Sequence, residues 1–316
     1  MGIGAMVLAL VTGAGATALL GLLAKGVDRK VTARLQWRVG PPLYQPALDC
    51  LKLLGKETVV PASAMGNGFL IMPLFGLAGT AVASSMLWVM NLRGDVGFVG
   101  DAIVVLYMLA LPAVATILGA AASGNPYATV GAGREMKLLI GYELPLTIAL
   151  LVAVVHTGNS FRLGQIVAAQ GDGGMVAGSV SGLLALVVAI VCMQAKLGLV
   201  PFDQAEAESE LMAGVYTEYS GPPFAAINLG RCMLLAALPI LLITLFLGGI
   251  HPSGLGLAAF ALKFGVLLVI IVLIRNTNPR LRIDQSLRLF WYWLTPLALL
   301  ALGLAMAGRH YEVTWL

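Results

Sequence analysis

Eight stretches of the chain stay apolar for about the 20 residues that a helix needs to cross the hydrocarbon core of a bilayer. They are 2–24, 69–92, 102–122, 137–157, 176–195, 233–249, 254–274 and 289–308. Inside their ends, only two of them contain a charge, Glu143 and Lys263. The pattern predicts an all-α, polytopic integral membrane protein with eight transmembrane helices. No internal repeat, low-complexity tract or second soluble domain interrupts it, so 1–316 reads as a single membrane domain. The opening MGIGAMVLAL lacks a basic n-region, and its apolar run exceeds that of a signal peptide, so it reads as the first span.

Composition agrees. Hydrophobic residues make up 59% of the chain, charged residues 11%, and mean hydropathy is +0.93. A soluble domain carries about 25% charged residues. The net charge of +4 does not point to nucleic acid, because the basic residues sit between apolar spans. Fifteen lysines and arginines fall in the loops at about 25–68, 123–136, 196–232 and 275–288, or at their edges, against three on the opposite side. The positive-inside rule makes those loops cytoplasmic and places both termini outside, in a cytoplasmic or inner membrane. Cys50, Cys192 and Cys232 form no CxxC, and His156, His251 and His310 are scattered, so no metal or cofactor site is readable in this chain.

The loops differ in kind. Those on the outer side are short or glycine-rich, such as Gln170-Gly171-Asp172-Gly173-Gly174. In the first cytoplasmic loop, Leu48, Leu51 and Leu54 recur among Asp49, Lys52 and Lys56, which predicts a short amphipathic helix on the membrane surface or under a partner. The third holds Asp203, Glu206, Glu208, Glu210 and Glu218. As one helix it would align Asp203, Glu206 and Glu210 on one face, where like charges raise each other's proton affinity. A solvated acidic loop is the plainer alternative.

Glu143 lies inside the fourth span, about 9 Å of helical rise beyond Lys137. A carboxylate in the bilayer is costly and marks a functional path. Pro145 is expected to loosen the helix beside it. Glu135 is about 12 Å away along the same helix. Lys263 is too deep in its span to snorkel easily and must face protein or water. Glu135, Glu143, Lys263 and the acidic loop together outline a half-channel from the cytoplasm. A purely structural pair of Glu143 with Lys263 or an arginine is the alternative. The last loop, with Arg275, Arg280, Arg282, Asp284 and Arg288, complements the acidic loop in charge.

Four of these segments together resemble the subunit 1 family (also called the H type) of respiratory complex I and its hydrogenase relatives. They are Arg38-Val39-Gly40-Pro41 with Leu51-Lys52-Leu53-Leu54-Gly55-Lys56-Glu57; Tyr142-Glu143; Phe202-Asp203 through Glu206, Glu208, Glu210-Leu211 and Glu218-Tyr219-Ser220-Gly221; and Ile274-Arg275 through Arg280, Arg282 and Asp284-Gln285. The resemblance covers most of the chain. Three departures from the complex I form are Gly40-Pro41-Pro42 running almost directly to Gln45-Pro46, the Arg134-Glu135 order, and Lys196-Leu197-Gly198-Leu199 before Pro201-Phe202-Asp203. All three look like the membrane anchor of energy-converting (group 4) [NiFe] hydrogenases, of the ferredoxin-, CO- or formate-linked kinds.

The resemblance implies a subunit of an oxidoreductase complex that carries no catalytic centre or cofactor itself. The NiFe centre and iron–sulfur clusters would belong to partners: the hydrogenase large and small subunits and a ferredoxin-like iron–sulfur subunit, beside antiporter-like membrane subunits. It implies an ion path through Glu135, Glu143, Asp203, Glu206, Glu208, Glu210, Glu218 and Lys263. Docking of the redox arm would fall to Arg34, Arg38, Lys52, Lys56, Glu57, Arg134, Arg275, Arg280, Arg282 and Asp284. A quinone-site subunit of complex I is the alternative, and a free-standing ion transporter a more distant one.

Overall fold

The computed structural model describes residues 3–94, 96–207, 210, 212, 214–311 and 315, and all secondary structure among them is helical. The main helices are α1 (Ile3–Leu35), α2 (Gln45–Leu54), α3 (Gly66–Leu92), α4 (Asp101–Met108), α5 (Leu111–Ala122), α6 (Pro126–His156) and α7 (Leu163–Gly173). They continue as α8 (Val180–Lys196), α9 (Gly221–Phe246), α10 (Gly254–Thr277), α11 (Ile283–Arg288) and α12 (Thr295–His310).

Seven segments are long and apolar enough to cross a membrane: α1, α3, α4 with α5, α6, α9, α10, and α11 through α12. The segment predicted as the fifth span is shorter. It opens with a 3-10 turn, Val176–Gly178, and continues as the 17-residue α8. Several helices overrun the predicted loop borders. α1 extends past 24 to Leu35, α6 begins at Pro126 instead of 137, and α9 begins at Gly221 instead of 233. Hydropathy marks only where side chains are apolar, whereas the backbone hydrogen-bond ladder continues wherever neighbours pack against it. These overruns carry Lys25, Asp28, Arg29, Arg134, Glu135 and Arg231.

α9 is the central post, with most of its side chains buried, and α1 and α3 pack along it. The approach of α1 to α9 depends on Gly21: a Cβ there would lie 2.1 Å from the Cys232 carbonyl oxygen. We expect Gly21→Val to force the helices apart at a cost of about 1–3 kcal/mol or more. A thermal-unfolding midpoint equal to wild type would contradict that expectation.

The glycine-rich segment from Gln170 is not a loop. It completes α7, which is anchored at its start by Leu163 N donating to Asp101 Oδ1 (2.7 Å). Buried Gln170 holds the other end, donating to Thr244 O (2.9 Å) and accepting from Gly248 N (2.9 Å). Those tertiary bonds override the low helix propensity of the glycines.

Between α11 and α12 the chain makes a π turn, Leu289–Leu294, just before Pro296. Proline removes one i→i−4 donor, and the wider turn accommodates the loss. The turn aims Phe290 inwards, 5.1 Å from the Phe202 ring and 6.4 Å from that of Tyr142. It leaves Trp291, Tyr292 and Trp293 exposed, as in an interfacial aromatic belt.

Candidate functional site

The acidic segment is not one continuous helix. Gln204–Glu206 is a single 3-10 turn, and Ala207 lies outside any helix. Asp203, Glu206 and Glu210 therefore do not form a like-charged stripe. Each has its own arginine from a different element: Asp203–Arg280 at 2.8 Å, Glu206–Arg231 at 2.7 Å and Glu210–Arg134 at 2.6 Å. The expected charge complementarity with the last loop is realised through Asp203. It is reinforced by Leu281 N donating to Pro201 O (3.0 Å) and Gln204 Nε2 donating to Leu281 O (3.0 Å) and to Ser286 Oγ. Glu208 lies outside the described residues.

Glu218 has a different task. Its Oε1 accepts from Asn125 Nδ2 at 2.6 Å, and Asn125 caps α6 by accepting from Tyr127 N. That geometry latches the start of α6.

Behind this surface lies a cavity of about 60 Å³, lined by Glu135, Lys196, Glu206, Tyr216 and Arg231, among others. It has room for a few water molecules. Arg231 also stacks over the Tyr216 ring at 5.2 Å. Glu135 makes no ion pair among the described residues. A groove of about 330 Å³ on the surface holds Arg134, Asp203, Glu210, Arg280, Arg282 and Asp284. The groove brings Arg134, Arg282 and Asp284 beside Asp203 and Glu210.

The inner end is the pair Glu143 Oε1–Lys196 Nζ at 2.6 Å, with side-chain exposures of 17% and 1%. Lys196 also reaches Leu106 O at 3.5 Å and lies over the Tyr142 ring at 5.6 Å. The lysine ends α8 and lines the cavity, so it stands between Glu143 and the carboxylates beyond. Glu143 Oε2, Tyr142 OH and Asp203 Oδ1 are buried with no partner among the described residues. Buried polar atoms of this kind are normally satisfied by water. Pro145 does not break α6; the Thr147 hydroxyl donates to the Glu143 carbonyl at 2.8 Å and takes up one of the local acceptors.

Lys263 does not join this cluster. Its Nζ donates to the carbonyl of Leu247, the C-terminal cap of α9. Leu247 lies sixteen residues beyond Arg231, about 24 Å along the helix. A C-terminal carbonyl at a negative helix end is a natural partner for a cation.

Sequence reasoning missed three groups. Lys196 counted only as an orientation charge. Arg231 sat within the predicted loop, with no sign that it would meet Glu206. Asp28, only 1% exposed, holds both Lys25 (3.1 Å) and Arg275 (2.7 Å) and so binds α1 to α10. The i, i+3 spacing of Lys25 and Asp28 was the available signal. Of the residues expected to dock the redox arm, Arg34, Arg38, Lys52, Lys56 and Glu57 are exposed, whereas Arg275 is turned inwards to Asp28. The amphipathic α2 is present as predicted, with Leu51 63% and Leu54 57% exposed.

Asp203 lies outside the spanning helices. Burial pushes its carboxyl above the ordinary range, against the opposing pull of Arg280. A carboxyl whose folded pKa is raised contributes stability fully below its unfolded pKa and loses it as pH rises through the folded value. Asp203→Asn should therefore gain stability relative to wild type as pH rises from about 4 to 8. Arg280, 44% exposed, can turn to water in the variant. Parallel thermal midpoints across that range would rule the effect out.

The family comparisons cover nearly the whole chain. A family profile described as NADH dehydrogenase matches residues 6–306. The H subunit of NADH-quinone oxidoreductase from Thermomicrobium roseum is 38% identical over 321 residues, covering 93% of this chain and 94% of that protein. The corresponding protein from a Geobacillus species is 37% identical over 288 residues, covering 86% and 84%. A chain of the membrane-bound sulfane sulfur reductase, an archaeal respiratory membrane complex, superposes with a TM-score of 0.87 at 29% identity, covering 95% of this chain and 99% of that one. This helical, multi-pass chain belongs to the NADH dehydrogenase family, as a membrane subunit of the H type.

Proposed function

We propose that this chain is the membrane anchor of an energy-converting [NiFe] hydrogenase complex. In this reading it docks the hydrophilic redox arm and couples electron transfer and proton reduction to H⁺ or Na⁺ translocation. Eight crossings, α8 among them, leave both termini outside and the charged loops on the cytoplasmic face. The hydrogenase large and small subunits and a ferredoxin-like iron–sulfur subunit carry the NiFe centre and clusters. The antiporter-like membrane subunits receive the coupling signal. Arg34, Arg38, Lys52, Lys56 and Glu57, with the groove around Asp203, Glu210, Arg280, Arg282 and Asp284, form the docking face.

The observation that carries this reading is the inner cavity. At about 60 Å³ it is well below the range of about 300–1,000 Å³ typical of organic-ligand pockets, and it ends on an ion pair. Such a space suits water and proton movement more than a quinone ring. A change of charge at the docked arm would perturb the carboxylate–arginine pairs. The effect would pass through Glu206 and Glu135 to Lys196 and Glu143.

The quinone-site reading is the second one, favoured by the names of the Thermomicrobium and Geobacillus relatives. Affinity purification of the tagged chain, with subunit identification and metal analysis, separates the two. Co-purified nickel and hydrogenase subunits are expected. A flavin-containing complex that reduces quinone with NADH would overturn the hydrogenase assignment.

A further inference from the structure

A second chamber, about 210 Å³, adjoins the inner cavity through Arg231 and Leu197. Its shape follows from the Gly21 contact. Gly21, Lys25 and Arg29 lie at four-residue spacing on one face of α1. Gly21 presses against the Cys232 backbone and closes the floor. One and two turns higher, Lys25 and Arg29 line the chamber, and α2 supplies Asp49 and Cys50 as its third wall. The Arg29–Asp49 pair, at 2.6 Å, is 38% and 36% exposed and stands between α1 and α2.

The chamber is cationic. Lys25, Arg29, Arg231 and the adjacent Arg275 face Asp28, Asp49 and Glu206, so among these groups the cations outnumber the carboxylates. A lysine has three N–H donors and an arginine five. The ion pairs use one from Lys25, one from Arg29 and two from Arg231, leaving others for a further anion. Lys25 and Arg29 are also the first basic residues after the apolar stretch 2–24, which puts the chamber at the headgroup level. Two turns below Arg29, Leu22 lies half-buried on nearly the same face, and Leu19 beside it is 67% exposed. Acyl chains can lie there while a phosphate occupies the chamber. Basic pockets between membrane helices are suited to anionic headgroups.

We propose that the chamber bounded by α1, α2 and α9 is a binding site for the phosphate of an anionic phospholipid, held by Lys25 and Arg29. The lipid pins the amphipathic α2 to α1 beside the ion path. A soluble anion would leave the apolar strip at Leu19 and Leu22 unused, and a zwitterionic lipid would bring a cation to a cationic chamber.

Cys50 lines the chamber and reports its occupancy. The purified complex is reconstituted in phosphatidylglycerol or phosphatidylcholine vesicles, and N-ethylmaleimide modification of Cys50 is followed by mass spectrometry. The comparison variant is Lys25→Gln with Arg29→Gln. It should fold, because Asp28 keeps Arg275, and Asp49 keeps Gln45 and contact with water. The phosphatidylcholine-to-phosphatidylglycerol ratio of rates in wild type should exceed the same ratio in the variant by about fivefold or more, since each basic group contributes about that factor. Surface potential acts on both proteins and cancels. Native mass spectrometry should find phosphatidylglycerol retained by wild type and lost from the variant. Equal ratios, equal retention, or the same protection by inorganic phosphate in phosphatidylcholine vesicles would overturn the proposal.

Discussion

Replacing Lys196 by alanine should destabilise the protein more than any other single charge removal in the site. The ammonium is 1% exposed, and its partner Glu143 is 17% exposed. Truncating one member of a buried pair leaves the other charge uncompensated and costs about 3–5 kcal/mol. The pair is also the meeting point of α6 and α8, so the cost falls on packing between these two helices. The signature of this mechanism is non-additivity. Adding Glu143→Gln to Lys196→Ala removes the stranded carboxylate and should restore much of the lost stability, as residues in direct contact couple strongly. Thermal midpoints of the wild-type, single and double variants of the purified complex give the interaction energy directly. Additive losses would mean that the two side chains act independently.

The sequence disclosed the membrane class, the apolar spans and the charged ends because each depends on composition over a long window. α2 was readable because its three leucines repeat at helical spacing. The ends of α1, α6 and α9 were not readable, because hydropathy falls at the bilayer boundary while the helices continue. The segment from Gln170 misled because glycine is a local signal and the bonds from Gln170 and Asp101 are tertiary. In the site, residue types were legible but partners were not. Five acidic residues close together suggested mutual repulsion, whereas the three described salt bridges there draw arginines from α6, α9 and the loop before α11. Pairing between residues far apart in the chain has no local signature. Lys263 and Glu143, the two charges inside the predicted spans, invited the assumption of a shared path. Their actual partners, Leu247 and Lys196, show that depth in the sequence pattern does not imply proximity.

The largest functional effect is expected at Glu143. Its Oε1 is engaged by Lys196, and its Oε2 is buried without a partner among the described residues, the kind of atom that an ordered water normally satisfies. Glutamine retains an oxygen to accept from Lys196 and nearly the same volume. It cannot gain or lose a proton, so it should spare packing and remove the titrating step. On the proposed path, redox turnover with an artificial donor does not require that step, whereas ion movement does. The most direct test is therefore ion translocation per electron transferred, measured with the wild-type and Glu143→Gln complexes in sealed proteoliposomes. A path through Glu143 predicts redox turnover near wild type with most of the translocation lost. A wild-type ratio of ions to electrons in the variant would contradict it.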